Sequence, residues 1–171
     1  MNVFKFGGAS VKDIAGVENV ALILQSFSHA RVLIVASAMG KTTNALERVL
    51  NQYREGSDYT TELNALKHFH ASIMDGLFAP SHPVYSQVDA LFTSLETALR
   101  KDQPYDQVYD QVVSFGELLS TVIVHQYLVL KKLAVHWLDA RDYIKTDNTF
   151  REGKVNWQQT CSTIAHIPRF F

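Results

Sequence analysis

The sequence predicts an α/β fold, a mainly parallel central sheet with helices on both faces, and three observations carry that prediction. A short apolar run at residues 3–6 stops at the paired glycines Gly7 and Gly8 and passes into an amphipathic stretch. A second run, RVLIVA at 31–36, is almost continuously apolar and β-branched, the pattern of a strand buried on both faces of a parallel sheet. Two such strands joined by one helix form a right-handed crossover unit. Helical periodicity then dominates most of residues 42–133.

Along the chain, residues 11–27 carry Val17, Val20, Ala21 and Leu24 at helical spacing, with Ser10 and Asp13 as a capping pair. Residues 37–43 form a loop after the second strand. Asn44 and Glu47 can cap the next helix, whose apolar face is Leu46, Val49, Leu50 and Tyr53, and Gly56 ends it. Residues 60–78 place Leu63, Leu66, Phe69, His70, Ile73 and Leu77 on one stripe, broken by Pro80 and Pro83. Helices follow over 84–99 and 108–133, the latter interrupted near Gly116. Residues 135–138 read as another core strand, 139–153 as a polar loop, and Asn156 with Gln159 as the cap of a short last helix. Residues 167–171 read as the start of a further strand ending on Phe170 and Phe171, so the chain is expected to be truncated and its sheet incomplete. A cut sheet edge exposes unpaired N–H and C=O groups and invites pairing between copies.

The chain has 171 residues, enough for one domain with a real core, and a formal net charge of -1. That balance argues against a nucleic-acid partner. Cys161 is the single cysteine, which excludes an internal disulfide and fits a reducing compartment. No signal-peptide pattern opens the chain, and no apolar run approaches the ~20 residues of a membrane span. A soluble, cytoplasmic protein with no membrane partner is expected.

Chemistry concentrates first at Lys5-Phe6-Gly7-Gly8-Ala9-Ser10. Paired glycines let backbone N–H groups approach a ligand, the following helix start favours an anion, and Lys5 adds a compact positive charge. Together they describe a phosphate site and suggest phosphoryl transfer. Gly40-Lys41-Thr42 mimics the end of a Walker A loop, but Val35 occupies the position where that loop requires its first glycine. Glu117, after the helix-interrupting Gly116, is either a receptor for a substrate ammonium or a carboxylate serving a helix N-terminus. Asp139-Ala140-Arg141 and Thr146-Asp147-Asn148 follow a predicted strand, where α/β ligand sites lie, although pattern alone favours a surface loop with turn residues. His68 and His70 point to different helix faces, and the remaining histidines and Cys161 do not cluster, so no metal site is expected.

KFGGAS at 5–10, SAMGKTTN at 37–44, SFGELLS at 114–120 and DARDYIKTDN at 139–148 occur in one order and spacing. In these four motifs, which span nearly the whole chain, the sequence resembles the N-terminal part of the aspartokinases, of the amino-acid kinase fold. Ala9 stands where that family usually has threonine, which bears on one hydroxyl contact. The resemblance implies ATP-dependent phosphorylation of the side-chain carboxylate of L-aspartate, with ATP and Mg as cofactors, at the entry to lysine, threonine and methionine synthesis. It implies that Lys5 stabilises the migrating phosphoryl group and that Gly7, Gly8 and Ser10 line the phosphate loop. Thr43, with Ser37 nearby, would contact aspartate; Glu117 would bind its ammonium; Arg141 and the Thr146–Asp147 segment would border the same pocket. By the same resemblance, residues 1–171 are the first part of a kinase domain with a helical insertion at about 57–133. The nucleotide-binding second half and the regulatory ACT domains are not in them. A homo-oligomeric parent is implied, and little or no activity of these residues alone. The alternatives are the kinase part of a bifunctional aspartokinase–homoserine dehydrogenase and a non-catalytic aspartate-binding fragment.

Overall fold

A computed structural model describes residues 1–165 and 167. The order is β1 (Asn2–Phe6), a 3-10 turn (Gly8–Val11), α1 (Ile14–Gln25), β2 (Val32–Ala36), α2 (Thr42–Arg54), α3 (Thr60–Leu77), α4 (Val84–Leu99), α5 (Tyr105–Val113), α6 (Phe115–Leu130), α7 (Ala140–Tyr143) and α8 (Trp157–Ile164). β1 and β2 pair in parallel, Asn2 opposite Val32 through Phe6 opposite Ala36, with α1 as the crossover between them. The fold is α/β, and its sheet holds two strands among the described residues.

Helical stripes build the core. Val17 and Val20 of α1, Leu46, Val49 and Leu50 of α2, Leu95 and Leu99 of α4, and Leu119 and Ile123 of α6 are essentially inaccessible. Phe6 and the half-buried Phe4, Val32 and Ile34 pack one sheet face onto this core. The other face carries the exposed Val3, Leu33 and Val35.

The helix starts differ from the sequence reading. Asp13, not Ser10, caps α1 by accepting the Gly16 N–H at 2.8 Å. Ser10 lies in the preceding 3-10 turn, whose own bond runs from Ser10 N–H to Gly7 O. α2 begins at Thr42 without a side-chain cap, so Asn44 falls inside its first turn. The Asn156 cap is as read: its Oδ1 accepts the Gln159 N–H at 3.1 Å. Residues 135–138 are not a strand. They find no strand partner, and instead run beside α6, where the Trp137 indole N–H donates to Thr121 Oγ1 at 3.0 Å. The strand read at 167–171 lies outside the described residues, apart from Ile167.

The stretch Tyr105–Leu130 has the length and apolarity of a membrane-crossing helix. It is, however, two helices meeting at Ser114, and Val108, Val112, Leu119 and Ile123 are buried within the domain. Core packing accounts for its composition.

His70 sits fully buried on α3. Its Nδ1–H donates to Leu66 O at 2.9 Å, while Nε2 has no hydrogen-bond partner among the described residues and the ring meets Phe69 and Phe92 edge-on. Burial holds this imidazole below its ordinary value near 6.5, against the opposing pull of the Leu66 carbonyl. The neutral ring is therefore the native form, and the unfolded chain binds the extra proton as pH falls. His70's contribution is complete above about pH 6.5 and declines below it, by at most about 1.4 kcal/mol per pH unit for one proton. Urea titrations from pH 7 to pH 5 are expected to show that slope, and His70→Phe to reduce it by one proton's worth. Equal slopes would remove His70 as the cause.

Candidate active site at the carboxyl ends of the strands

The two parallel strands deliver two loops side by side. Past the last register pair, Ser37 N–H donates to Phe6 O at 3.0 Å, and Gly40 N–H then donates to Gly8 O at 3.0 Å. The loops after β1 and β2 thus continue the ladder beyond the sheet, at the edge where α/β ligand sites form. The approach leaves no room at Gly8: a Cβ there would lie 2.6 Å from Ala38 O and 3.1 Å from Gly40 O. Gly40 itself turns through φ +55, a left-handed conformation that glycine adopts freely.

Lys5 is exposed, opposite Val35 in the sheet. Its ammonium folds back along the glycine loop, since a Cβ on Gly7 would stand 3.3 Å from Lys5 Nζ. Charge and glycine backbone therefore share one spot. Ser10 is exposed on the 3-10 turn, and Ser37 is half-buried with its backbone tied to β1. α2 starts directly behind the second loop, with Thr43 half-buried in its first turn. Its neighbour Thr42, 2% exposed, has a buried Oγ1 without a hydrogen-bond partner among the described residues.

α6 closes this group from the far side. Glu117 Oε1 accepts the Ala38 N–H at 3.1 Å, tying the second loop to a helix 79 positions along the chain. Gly116 makes that approach feasible, because a Cβ on it would come within 2.8 Å of Ala38 Cβ and 3.4 Å of Thr42 Cγ2. The glycine's reason is packing, and the carboxylate beside it anchors a loop rather than only facing a helix start.

The fourth motif forms a second group. Arg141 binds Asp139 with Nη2 to Oδ2 at 2.6 Å and Nε to Oδ1 at 3.0 Å. The hydrogen bond from Arg141 is the main reason that the Asp139 carboxyl sits below its ordinary range. Asp147 Oδ1 accepts the backbone N–H groups of Thr149 and Lys154, both at 3.0 Å, which holds its carboxyl low and shapes a hairpin closed by the Thr146–Val155 bridge. Arg141, Thr146 and Asp147 line a cavity of about 290 Å³ together with Gln107, Gln111 and Ser114. Thr43 and Glu117 are not among its lining residues, although Ser114 immediately precedes the helix that bears Glu117.

Three features had no readable signal. Ala38 matters through its backbone, and Thr42 looks like any first-turn threonine. Arg151, at φ +66, stacks over Tyr109 at 4.2 Å and donates its N–H to Asp110 Oδ2 at 2.8 Å, pinning the hairpin to α5.

The model of the amino acid kinase family matches residues 1–166. The chain belongs to the amino acid kinase family. Among curated relatives, this amino acid kinase chain is 31% identical over 147 residues to the bifunctional aspartokinase/homoserine dehydrogenase 2 of Escherichia coli, covering 84% of the chain and 18% of that protein. It is 32% identical over 130 residues to the chloroplastic aspartokinase 2 of Arabidopsis thaliana, covering 74% and 24%. The chain thus spans about a fifth to a quarter of these relatives' length. The fold matches E. coli aspartokinase III, solved with aspartate and ADP, with a TM-score of 0.84 and 24% identity over 96% of this chain and 37% of that one.

Proposed function

We propose that this chain carries the acceptor-side part of an aspartate kinase site, in an enzyme that transfers the γ-phosphoryl group of ATP to the side-chain carboxylate of L-aspartate. The observation that supports it best is the meeting of Lys5, the Gly7–Gly8 loop, the 37–41 loop and Glu117 at the carboxyl ends of β1 and β2. The relatives named aspartokinase supply the substrate class.

In this reading the aspartate carboxylate oxygen forms a bond to the γ-phosphorus as the bond to the bridging oxygen breaks, and ADP leaves with that electron pair. Such transfers need positioning and charge neutralisation more than covalent help. Lys5 Nζ offsets charge on the moving phosphoryl group, with the Gly7–Gly8 backbone and the exposed Ser10 beside it. Glu117 keeps Oε2 available for the aspartate ammonium while Oε1 holds the loop. Thr43 and Ser37 are placed beside the same acceptor, and Arg141, held by Asp139, borders the neighbouring cavity. The exposed Lys5, whose ammonium lies beside Gly7, fits a phosphate-bearing ligand. Mg2+ would travel with the nucleotide phosphates, as it commonly does; the described residues hold no cluster of three acidic, histidine or cysteine ligands. A cytoplasmic setting belongs to this reading, although the Arabidopsis aspartokinase 2 is chloroplastic.

Because these residues match 37% of the solved aspartokinase III chain, they are expected to bind aspartate without turning it over. Adding L-aspartate should shift the backbone NMR signals of Thr43 and Glu117, and Glu117→Ala should abolish those shifts. Incubation with MgATP, L-aspartate and hydroxylamine should yield no aspartyl hydroxamate. Absent shifts would overturn the aspartate assignment. Hydroxamate production lost in Lys5→Ala would overturn the inactivity.

A further inference from the structure

Helix α5 is written from one four-residue unit used twice, Tyr105-Asp106-Gln107-Val108 and Tyr109-Asp110-Gln111-Val112. Residues four apart lie one above the other on a helix, so each residue type forms its own ridge. The two valines are inaccessible in the core. The two glutamines line the cavity that Arg141, Thr146 and Asp147 border. The tyrosine and aspartate ridges meet Arg151.

Arg151 engages that surface and its neighbour at four points. The guanidinium lies 4.2 Å above the centre of the Tyr109 ring, and Nη1 stands 3.7 Å from Asp106 Oδ1. The backbone N–H donates to Asp110 Oδ2 at 2.8 Å, and Nη2 stands 3.9 Å from Glu47 Oε1 on α2. Among the described residues, the hydrogen bonds, ion pairs and ring contacts of the 146–155 hairpin with α2 and α5 all come from this one residue. The hairpin closes on itself without it, through the Thr146–Val155 bridge and the Asp147 N–H to Lys154 O bond at 2.9 Å. It is a preformed unit with one fastener.

That fastener carries a backbone cost. A φ of +66 is left-handed, and glycine would adopt it freely. Exposed ion pairs are individually weak, so an arginine here is a poor device for stability alone. Strain kept at such a place points to a role. Glu47 lies one turn along α2 from Thr43, on the same helix face. Arg151 therefore spans the two groups of residues described at the candidate site.

We propose that Arg151 is a positioning residue: it clamps the hairpin onto the repeated face of α5 and, through Glu47, holds the cavity bordered by Arg141 in register with the Thr43 end of α2. Its effect on aspartate rests on the function proposed above; the clamp itself does not.

The test uses the full chain and backbone NMR. Arg151→Gly removes the clamp and relieves the left-handed backbone, so the melting temperature should be unchanged or higher. The residue-151 amide should nevertheless exchange about tenfold faster or more, as the hairpin leaves Asp110. The Thr43 signal should move with no ligand present. Arg151→Lys keeps the charge but lacks the flat, forked group, and should release the hairpin as well. Glu47→Gln should move Thr43 while leaving the residue-151 amide protected. In L-aspartate titrations Arg151→Gly should bind about threefold to tenfold more weakly. An amide as protected in Arg151→Gly as in the wild type would overturn the clamp. An unmoved Thr43 signal, or a melting temperature that falls in step with aspartate affinity, would overturn the positioning. A lysine variant indistinguishable from the wild type would reduce Arg151 to a surface charge and overturn both. Wild-type chain that binds no L-aspartate would refute the aspartate reading alone, and the two ligand-free signals still decide on Arg151.

Discussion

Gly8→Ala is expected to destabilise the domain by about 1–3 kcal/mol, the usual cost of forcing an extra methyl group into a packed region. The obstacle is backbone: the new Cβ would sit 2.6 Å from Ala38 O and 3.1 Å from Gly40 O. Neither carbonyl can rotate away without parting the two loops, which breaks the Gly40 N–H to Gly8 O bond. Gly7→Ala is the matched control. Gly7 has φ -73 and ψ 167, which alanine adopts without strain, and its Cβ would meet only the mobile end of Lys5 at 3.3 Å. That change should be neutral or stabilising by up to about 1 kcal/mol, through the unfolded state. Urea midpoints of the two variants measure the contrast, and equal midpoints would show that the loops are not in contact as described.

The second large effect is expected at Gly116. Alanine there would bring two methyl groups within 2.8 Å, its own and that of Ala38, with Thr42 Cγ2 and Leu46 Cδ1 in ordinary contact at 3.4 and 3.5 Å. α6 must then retreat from the 37–41 loop and pull Glu117 from the Ala38 N–H. The expected loss is again about 1–3 kcal/mol, seen as a drop of about 2–4 °C in Tm per kcal/mol for a domain this size. Ala38→Gly removes the methyl group that causes the clash. Combined with Gly116→Ala, it should give a double variant more stable than the two separate losses add up to, by a coupling of about 0.5–3 kcal/mol. Strict additivity would place the cause elsewhere.

The helices were largely legible because their burial follows a period that needs no knowledge of neighbours: of the stripe Leu63, Leu66, Phe69, His70, Ile73 and Leu77, all are buried but Phe69, which is half-buried. Strand behaviour depends on partners. Residues 32–36 look fit for burial on both faces, yet Leu33 and Val35 are exposed. Residues 135–138 read as a strand and form none. Caps were misjudged where two polar residues compete, as at Ser10 and Asp13, since the winner depends on where the preceding 3-10 turn ends. At the site, the charged and glycine positions were visible as residue types at the ends of predicted elements. The Glu117 anchor on the Ala38 amide was not, because one partner is a backbone group that no side chain advertises.

That anchor also sets an order of assembly. β1, α1 and β2 can meet once about forty residues exist, but the loop after β2 gains its carboxylate only from a position 79 residues further on. Closing so long a segment is slow relative to helix formation. A nascent chain leaving the ribosome would therefore carry a formed βαβ unit with a loose 37–41 loop until α6 has emerged. Within that unit the last local structure to set would be the one beside Lys5, so pausing translation before α6 should leave a protease-sensitive loop in an otherwise ordered N-terminal unit.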